Sequence, residues 1–64
     1  MLLELVITAC LAATGGDCRL VVLDTFPTQM QCVINAQPLA VLWSARNPSR
    51  VITGMICRPA GKDA

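Results

Sequence analysis

The side chains of this sequence that could do chemistry are its four cysteines, Cys10, Cys18, Cys32 and Cys57. Four thiols can form two disulfide bonds, bind zinc or take part in thiol–disulfide exchange. A zinc site normally contains two cysteines separated by two to four residues, and a redox pair normally has the spacing C-x-x-C. Here the spacing is C-x7-C-x13-C-x24-C, and the sequence contains no histidine. The pattern favours two structural disulfides; a zinc or redox cysteine module and four reduced, buried thiols are the alternatives.

The beginning of the chain bears on the compartment, because disulfides persist in oxidising surroundings. The stretch MLLELVITAC ends in a cysteine, as a lipoprotein signal does, but no basic residue precedes Cys10 and Glu4 interrupts the apolar segment. We therefore expect this stretch to be a strand of the fold. Synthesis in the cytoplasm followed by oxidation in a virion or another extracellular assembly would reconcile the two observations, and the periplasm is the alternative.

Few other residues are suited to catalysis. The sequence has no histidine and no tyrosine, and its acids are scattered along the chain. General acid–base catalysis needs a positioned group with a tuned pKa, and no such arrangement is visible. The formal net charge of +1 indicates neither a nucleic-acid nor an anionic membrane partner. We expect a protein that is not an enzyme, holds no cofactor or metal, and has protein partners.

Alternating and turn-forming patterns divide the first half of the chain. In residues 3–11 every odd-numbered residue is apolar, which is typical of a strand packed hard on one side. Residues 13–17 contain two adjacent glycines and predict a hairpin turn. Residues 18–26 are rich in Val and Leu and predict a second strand, which ends before Pro27.

A helix is predicted between Thr28, a capping residue, and Asn47-Pro48, which ends it. Pro38 inside it predicts a kink or a break into two short helices. Trp43, four residues after Leu39, is expected in the core, with an interface anchor as the alternative. Apolar residues spaced by three and four predict the buried stripe: Met30, Val33, Ile34, Val41, Leu42 and Ala45.

A third strand over residues 50–58 completes the order β-β-α-β. This order predicts an α+β fold: a three-stranded antiparallel sheet in strand order 2-1-3, with one kinked helix packed on one face. Residues 1–58 would form this single small domain and residues 59–64 a polar C-terminal tail. A chain of 64 residues buries little surface and needs covalent links or association for stability.

This topology predicts the disulfide pairing. Cys10 ends the first strand and Cys18 begins the second, so they face each other across the hairpin. Cys32 lies early in the helix and Cys57 late in the third strand, at the same end of the fold. Because bonded cysteines have Cα atoms within about 7 Å, Cys10–Cys18 and Cys32–Cys57 are preferred among the three possible pairings.

The side of the sheet away from the helix, the outer sheet face, is predicted to be mostly apolar. A solvated sheet face is normally polar, and a large exposed apolar patch marks an interaction site. A strand register displaced by one residue would exchange the two sides and is the alternative explanation. The expected interface residues are Leu2, Val6, Leu20, Val22, Phe26, Ile52 and Ile56.

The helix and the last strand contain M-Q-C, A-Q-P, a tryptophan, N-P and a late cysteine. In these motifs the chain resembles a group of small, mostly uncharacterised bacterial four-cysteine proteins, over roughly residues 1–61, whose relatives could also lie in phage genomes. The resemblance implies a Cys-bearing hairpin, a helix with a Trp and a last strand ending in Cys, and it implies no activity. The matching residues are Met30, Gln31, Cys32, Ala36, Gln37, Pro38, Trp43, Pro48 and Cys57.

Taken together, these patterns predict a non-catalytic structural or interaction protein. Its most concrete form is a small virion or assembly accessory component that oligomerises, or docks on a larger assembly, through the apolar outer sheet face. A small disulfide-stabilised envelope or periplasmic binding protein is the first alternative. A zinc or redox cysteine module is the second.

Overall fold

A computed structural model describes residues 2–60 of the chain. Three strands form one antiparallel sheet in the order β2-β1-β3, and a single helix lies on it, which confirms the predicted α+β fold. The sheet includes Pro59, the first residue of the predicted tail, whereas residues 61–64 of that tail lie outside the described residues. The elements are β1 (Leu3–Leu11), β2 (Arg19–Phe26), α1 (Gln29–Arg46) and β3 (Arg50–Pro59).

The central strand β1 is buried on both of its sides. Leu5, Val6 and Ile7 are each at most 1% exposed, although consecutive residues of a strand point to opposite sides. Leu5 packs against Cys32 and Ala36 of α1, which identifies the helix side of the sheet. Val6 therefore points to the outer sheet face, between its cross-strand partners Val22 and Ile56.

The helix begins and ends at the predicted residues. The Thr28 hydroxyl accepts a hydrogen bond from the Gln31 N–H at 3.1 Å, and the N–H of the C-cap Asn47 donates to the Ser44 carbonyl. These bonds satisfy backbone groups that helix ends leave without partners. Of the two outcomes predicted at Pro38, a kink or a break into two short helices, the break does not occur: α1 continues as one 18-residue helix through that proline.

The buried stripe of α1 differs from the predicted one. Cys32 and Ala36 are buried, and Leu39 packs against the same core. The disulfide from Cys32 to Cys57 fixes the rotation of the helix, since it requires Cys32 to face the sheet. The predicted stripe consequently points to solvent, and five of its members are 55–70% exposed. These five residues, the exposed helix stripe, are Met30, Val33, Ile34, Val41 and Leu42.

A β-bulge in β2 corrects one predicted interface residue. Leu23 has no partner of its own in β1, so the alternation of sides changes there. Phe26, which strict alternation placed on the outer sheet face, instead packs against the core formed by Leu5, Cys32 and Ala36. Phe26 is thus a core residue of the helix side.

A second β-bulge, in β3, corrects the predicted side of another interface residue, Ile52. Thr53 is the extra residue, and beyond it Ile52 pairs with Ala9 while Val51 pairs with Cys10. Residues directly opposite each other in an antiparallel pair point to the same side. Ile52 therefore lies on the helix side with Ala9, and Val51 takes a place on the outer sheet face that sequence alternation did not assign to it.

Candidate interaction surfaces

The outer sheet face brings together five of the seven predicted interface residues. Val6 lies at its centre, between its cross-strand partners Val22 and Ile56. These two flanking residues are about half exposed, at 49% and 53%. Val51, on the edge strand β3, also lies on this face, although the alternation of the sequence does not predict it there. The apolar residues of this face are Leu2, Val6, Leu20, Val22, Val51 and Ile56.

The ionised groups of this face that pair across β1 and β3 neutralise each other. Arg58 Nε donates to Glu4 Oε1 at 2.6 Å, and the two residues are direct cross-strand partners. The Glu4 side chain is only 16% exposed. A second apolar surface placed on this face would therefore meet an ion pair with no net charge, which avoids burying an unpaired charge.

The Cys10–Cys18 disulfide closes the outer sheet face at its hairpin end. The two Cα atoms are 4.0 Å apart, and Cys10 Sγ lies 3.7 Å from the Thr53 hydroxyl. Cys10 itself is 4% exposed, whereas Cys18 is exposed. This disulfide and the one from Cys32 to Cys57, on the helix side, are the two predicted from topology.

All four cysteine sulfurs are thus in disulfides rather than available as thiolate ligands. Within residues 2–60, no group of three or more His, Cys, Asp or Glu side chains is arranged to hold a metal ion. Disulfides fit an extracellular or otherwise oxidising environment. In the same described range, no helix has the length and apolar character needed to cross a membrane.

An open groove of about 520 Å³ lies between α1 and the edge strand β3. We call it the edge groove. Its wall on the helix includes Val33 and Ile34, two members of the exposed helix stripe, and its floor includes Met55. Among residues 2–60, no charged side chain lines it; the lining residues are Gln29, Val33, Ile34, Ala36, Gln37, Pro38, Met55, Ile56 and Cys57.

A smaller cavity of about 170 Å³ lies on the opposite side of α1, next to β2. Trp43 lines it together with Leu23 and Leu39. Trp43 is half-buried, so its ring covers part of the helix–sheet junction and leaves part of its surface in solvent. Trp43 lies on the same side of α1 as Leu39, and this side faces the sheet because Leu39 packs against the core.

Charged residues cluster where the hairpin turn meets the start of β3. Arg50 donates from Nη2 to the Asp17 carboxylate at 2.8 Å and from Nη1 to the Asp17 carbonyl at 2.7 Å. The hydrogen bond from Arg50, aided by the charge of Arg19, lowers the pKa of the Asp17 carboxyl below its usual value. Asp17 also has a positive φ of 51°, a conformation that Asp tolerates better than most residues. The cluster holds the turn and is structural.

Comparison of the chain with protein family models, with curated proteins and with solved structures gives no match.

Proposed function

We propose that this protein is a non-catalytic structural component that self-associates through its outer sheet face. The single observation that carries the proposal is the state of that face: a fully buried Val6 surrounded by half-exposed apolar residues on neighbouring strands. Solvated faces of antiparallel sheets are normally polar, and large apolar patches mark interaction sites.

The occupant of this face in the proposal is a second copy of the same chain. The occupant has to cover an apolar face that runs across all three strands, from Val22 on β2 through Val6 on β1 to Ile56 on β3. Two such sheets would pack face to face at about 10 Å around a two-fold axis. The Glu4–Arg58 pair is already neutralised within each copy, so the two faces do not repel each other.

The proposed setting is a virion or another extracellular assembly, of which the protein would be a small accessory component. Both disulfides support a location outside reducing cytoplasm, because they link the only cysteines of the chain. An envelope or periplasmic location would satisfy the same chemistry. Identifying the chain among the proteins of purified particles, or of the periplasmic fraction, distinguishes the two settings.

The experiment that tests self-association is sedimentation velocity of the wild-type protein without reductant, beside the double variant Leu20→Lys, Val22→Lys. Both residues are exposed on the outer sheet face, and neither contributes to the core on the helix side, so the packing of α1 on the sheet is retained. We expect the wild type to form multimers and the double variant to lose at least one level of assembly. The matched control is Gln31→Lys with Ala45→Lys, which adds the same charge at exposed positions of α1 outside both the outer sheet face and the exposed helix stripe, and it should not change the assembly. A wild-type protein and double variant of equal mass would contradict the proposal.

A further inference from the structure

The two edges of the sheet are protected to different degrees. β2 carries Arg19 at its start and its bulge at Leu23 near the middle, and such features discourage pairing with another strand. β3 has its bulge at Thr53 and a proline at position 59. Between these two features, residues 54–58 form a regular stretch whose only charged residue, Arg58, lies at its end. β3, which like β2 begins with an arginine, therefore has the longer regular uncharged stretch: residues 54–57, against residues 20–22 before the bulge of β2.

The hydrogen bonds at the two ends of β1 show which backbone groups of β3 are free. The Ala60 N–H donates to the Leu2 carbonyl at 2.9 Å, and the Ala12 N–H donates to the Ser49 carbonyl at 2.8 Å. In an antiparallel ladder, alternate residues of a strand direct their N–H and C=O groups to the same neighbour. The even-numbered residues of β1 therefore bond to β3.

It follows that the partners of those residues, Arg58 and Ile56, turn their backbone groups inward to β1. The residues between them, Met55 and Cys57, turn theirs to the free edge. The side chains of Met55 and Cys57 line the edge groove, beside Val33 and Ile34 of α1. Within residues 2–60, no bond outside the sheet is recorded for these outward backbone groups, and they lie beside the apolar residues of the edge groove.

We infer that β3 pairs antiparallel with β3 of a second copy, which joins two sheets into one six-stranded sheet. A two-fold axis at Ile56 sets Met55 opposite Cys57 of the second copy, so their outward backbone groups bond to each other. Arg58 then lies opposite Gly54 of the second copy, which keeps the arginines of the two chains apart. This pairing uses the edge and not the outer sheet face, so it stands independently of the proposed function.

The exposed helix stripe gives this pairing its apolar contribution. The two β1 strands would be about 14 Å apart, three strand spacings. A helix with its side chains is about 10–12 Å wide, so the two α1 helices stand side by side above the joined sheet. Val33 and Ile34, which are 57% and 64% exposed in the single chain, then face their copies over the edge groove. A second copy accounts for both the free backbone and the exposed apolar residues beside it.

The test is amide hydrogen exchange, resolved by residue, on the full chain without reductant. We expect the Met55 and Cys57 amides to exchange at least about tenfold more slowly than unprotected amides, and more slowly still as protein concentration rises. Exchange of both amides at the unprotected rate at every concentration would overturn the inference. Protection that does not depend on concentration would overturn it as well, since a contact within one chain would then explain it.

A second measurement separates the edge from the outer sheet face. In the Leu20→Lys, Val22→Lys background, sedimentation should still show a dimer, and Met55→Pro should convert it to a monomer. Proline removes the outward N–H of Met55, and edge strands tolerate proline where that N–H faces away from the sheet. Met55→Val, which keeps that N–H, is the matched control and should remain dimeric. A monomeric background protein with unprotected amides would refute edge pairing while leaving the outer-face proposal standing.

Discussion

The two sides of the sheet are equally apolar at the centre but are completed in different ways. On the helix side, Leu5 lies under α1, and the Cys32–Cys57 disulfide ties that helix to β3. On the outer sheet face, Val6 is just as buried, but its cover consists of Val22 and Ile56, which are themselves half exposed. The difference teaches that burial of a central residue does not by itself indicate a finished core. One side is closed within the chain, and the other is closed by association in our proposal.

The largest expected effect comes from removing the disulfides one side at a time. Cys32→Ala with Cys57→Ala should lower the free energy of unfolding by about 3.5 kcal/mol, and Cys10→Ala with Cys18→Ala by about 2.5 kcal/mol, on the chain-entropy estimate. The order reflects the sequence separations of 25 and 8 residues. Urea unfolding without reductant measures both values. A larger loss for the hairpin disulfide would contradict the view that the helix side holds the fold together.

The next effect compares the two central residues directly. Leu5→Ala should cost about 3 kcal/mol, because α1 and the disulfide prevent the cavity from collapsing. Val6→Ala should cost about 1.5 kcal/mol in the single chain, since it removes two methyl groups from a side that solvent can reach. Urea unfolding at low protein concentration gives the comparison. Equal losses would mean that the outer sheet face is as complete as the helix side.

A smaller effect tests the side assigned to Phe26. Phe26→Ala should destabilise the chain by about 3 kcal/mol at most, because the ring packs against the core of the helix side. Leu20→Ala, on the outer sheet face, should change the stability of the single chain by about 0.5 kcal/mol or less. Thermal unfolding followed by circular dichroism measures both. A negligible effect of Phe26→Ala would contradict the assignment of Phe26 to the core of the helix side.

The smallest expected effect is the pH dependence of stability at the hairpin turn, where Asp17 is bonded to Arg50 at the start of β3. Because the pKa of Asp17 is lowered in the folded chain, its contribution to stability is complete above about pH 4 and is lost as the pH falls through the lowered pKa. Asp17→Asn should therefore be less stable than the wild type near neutral pH, with the difference shrinking in acid. Urea unfolding at a series of pH values measures it. Asp24→Asn is the control, since Asp24 forms no ion pair within residues 2–60; an equal response in both variants would exclude the Arg50 contact as the cause.

Much of the architecture could be predicted from the sequence. The turn cluster, the Thr28 cap and the Asn47-Pro48 stop divide the chain into its four elements, and strand order follows from their directions. The same directions bring the four cysteines together in the observed pairs. These features depend on local chemistry and chain direction, which a sequence displays.

The sides of individual residues could not all be predicted, because alternation fails at an unpaired residue. Nothing in the sequence around Leu23 marks a bulge, whereas Gly54 next to Thr53 is a signal that could have indicated one. Each bulge reverses the assignment of its neighbours. Phe26, Ile52 and Val51 change sides for this reason. The sequence therefore predicts that the outer sheet face is apolar, but it does not predict every residue that lies on it.

The rotation of α1 was missed for a different reason. The helix has two apolar stripes of similar character, so periodicity alone does not choose between them. A signal was nevertheless present: a helix cysteine bonded to the sheet must face it, which selects the stripe of Cys32, Ala36 and Leu39. The predicted Cys32–Cys57 disulfide therefore already implies that the exposed helix stripe faces away from the sheet.

The two disulfides also decide how the chain would carry a pulling force. Cys10–Cys18 and Cys32–Cys57 close two rings that do not overlap along the sequence, and the segment from Arg19 to Gln31 is the only covalent path between them. Tension applied at the ends of the chain passes through each disulfide and bypasses most of α1 and the hairpin turn. Only β2, the turn at Pro27 and the terminal stretches can lengthen. Between Cys10 and Cys57, the chain would thus act as a short tether whose extensible section is the segment from Arg19 to Gln31, which contains β2.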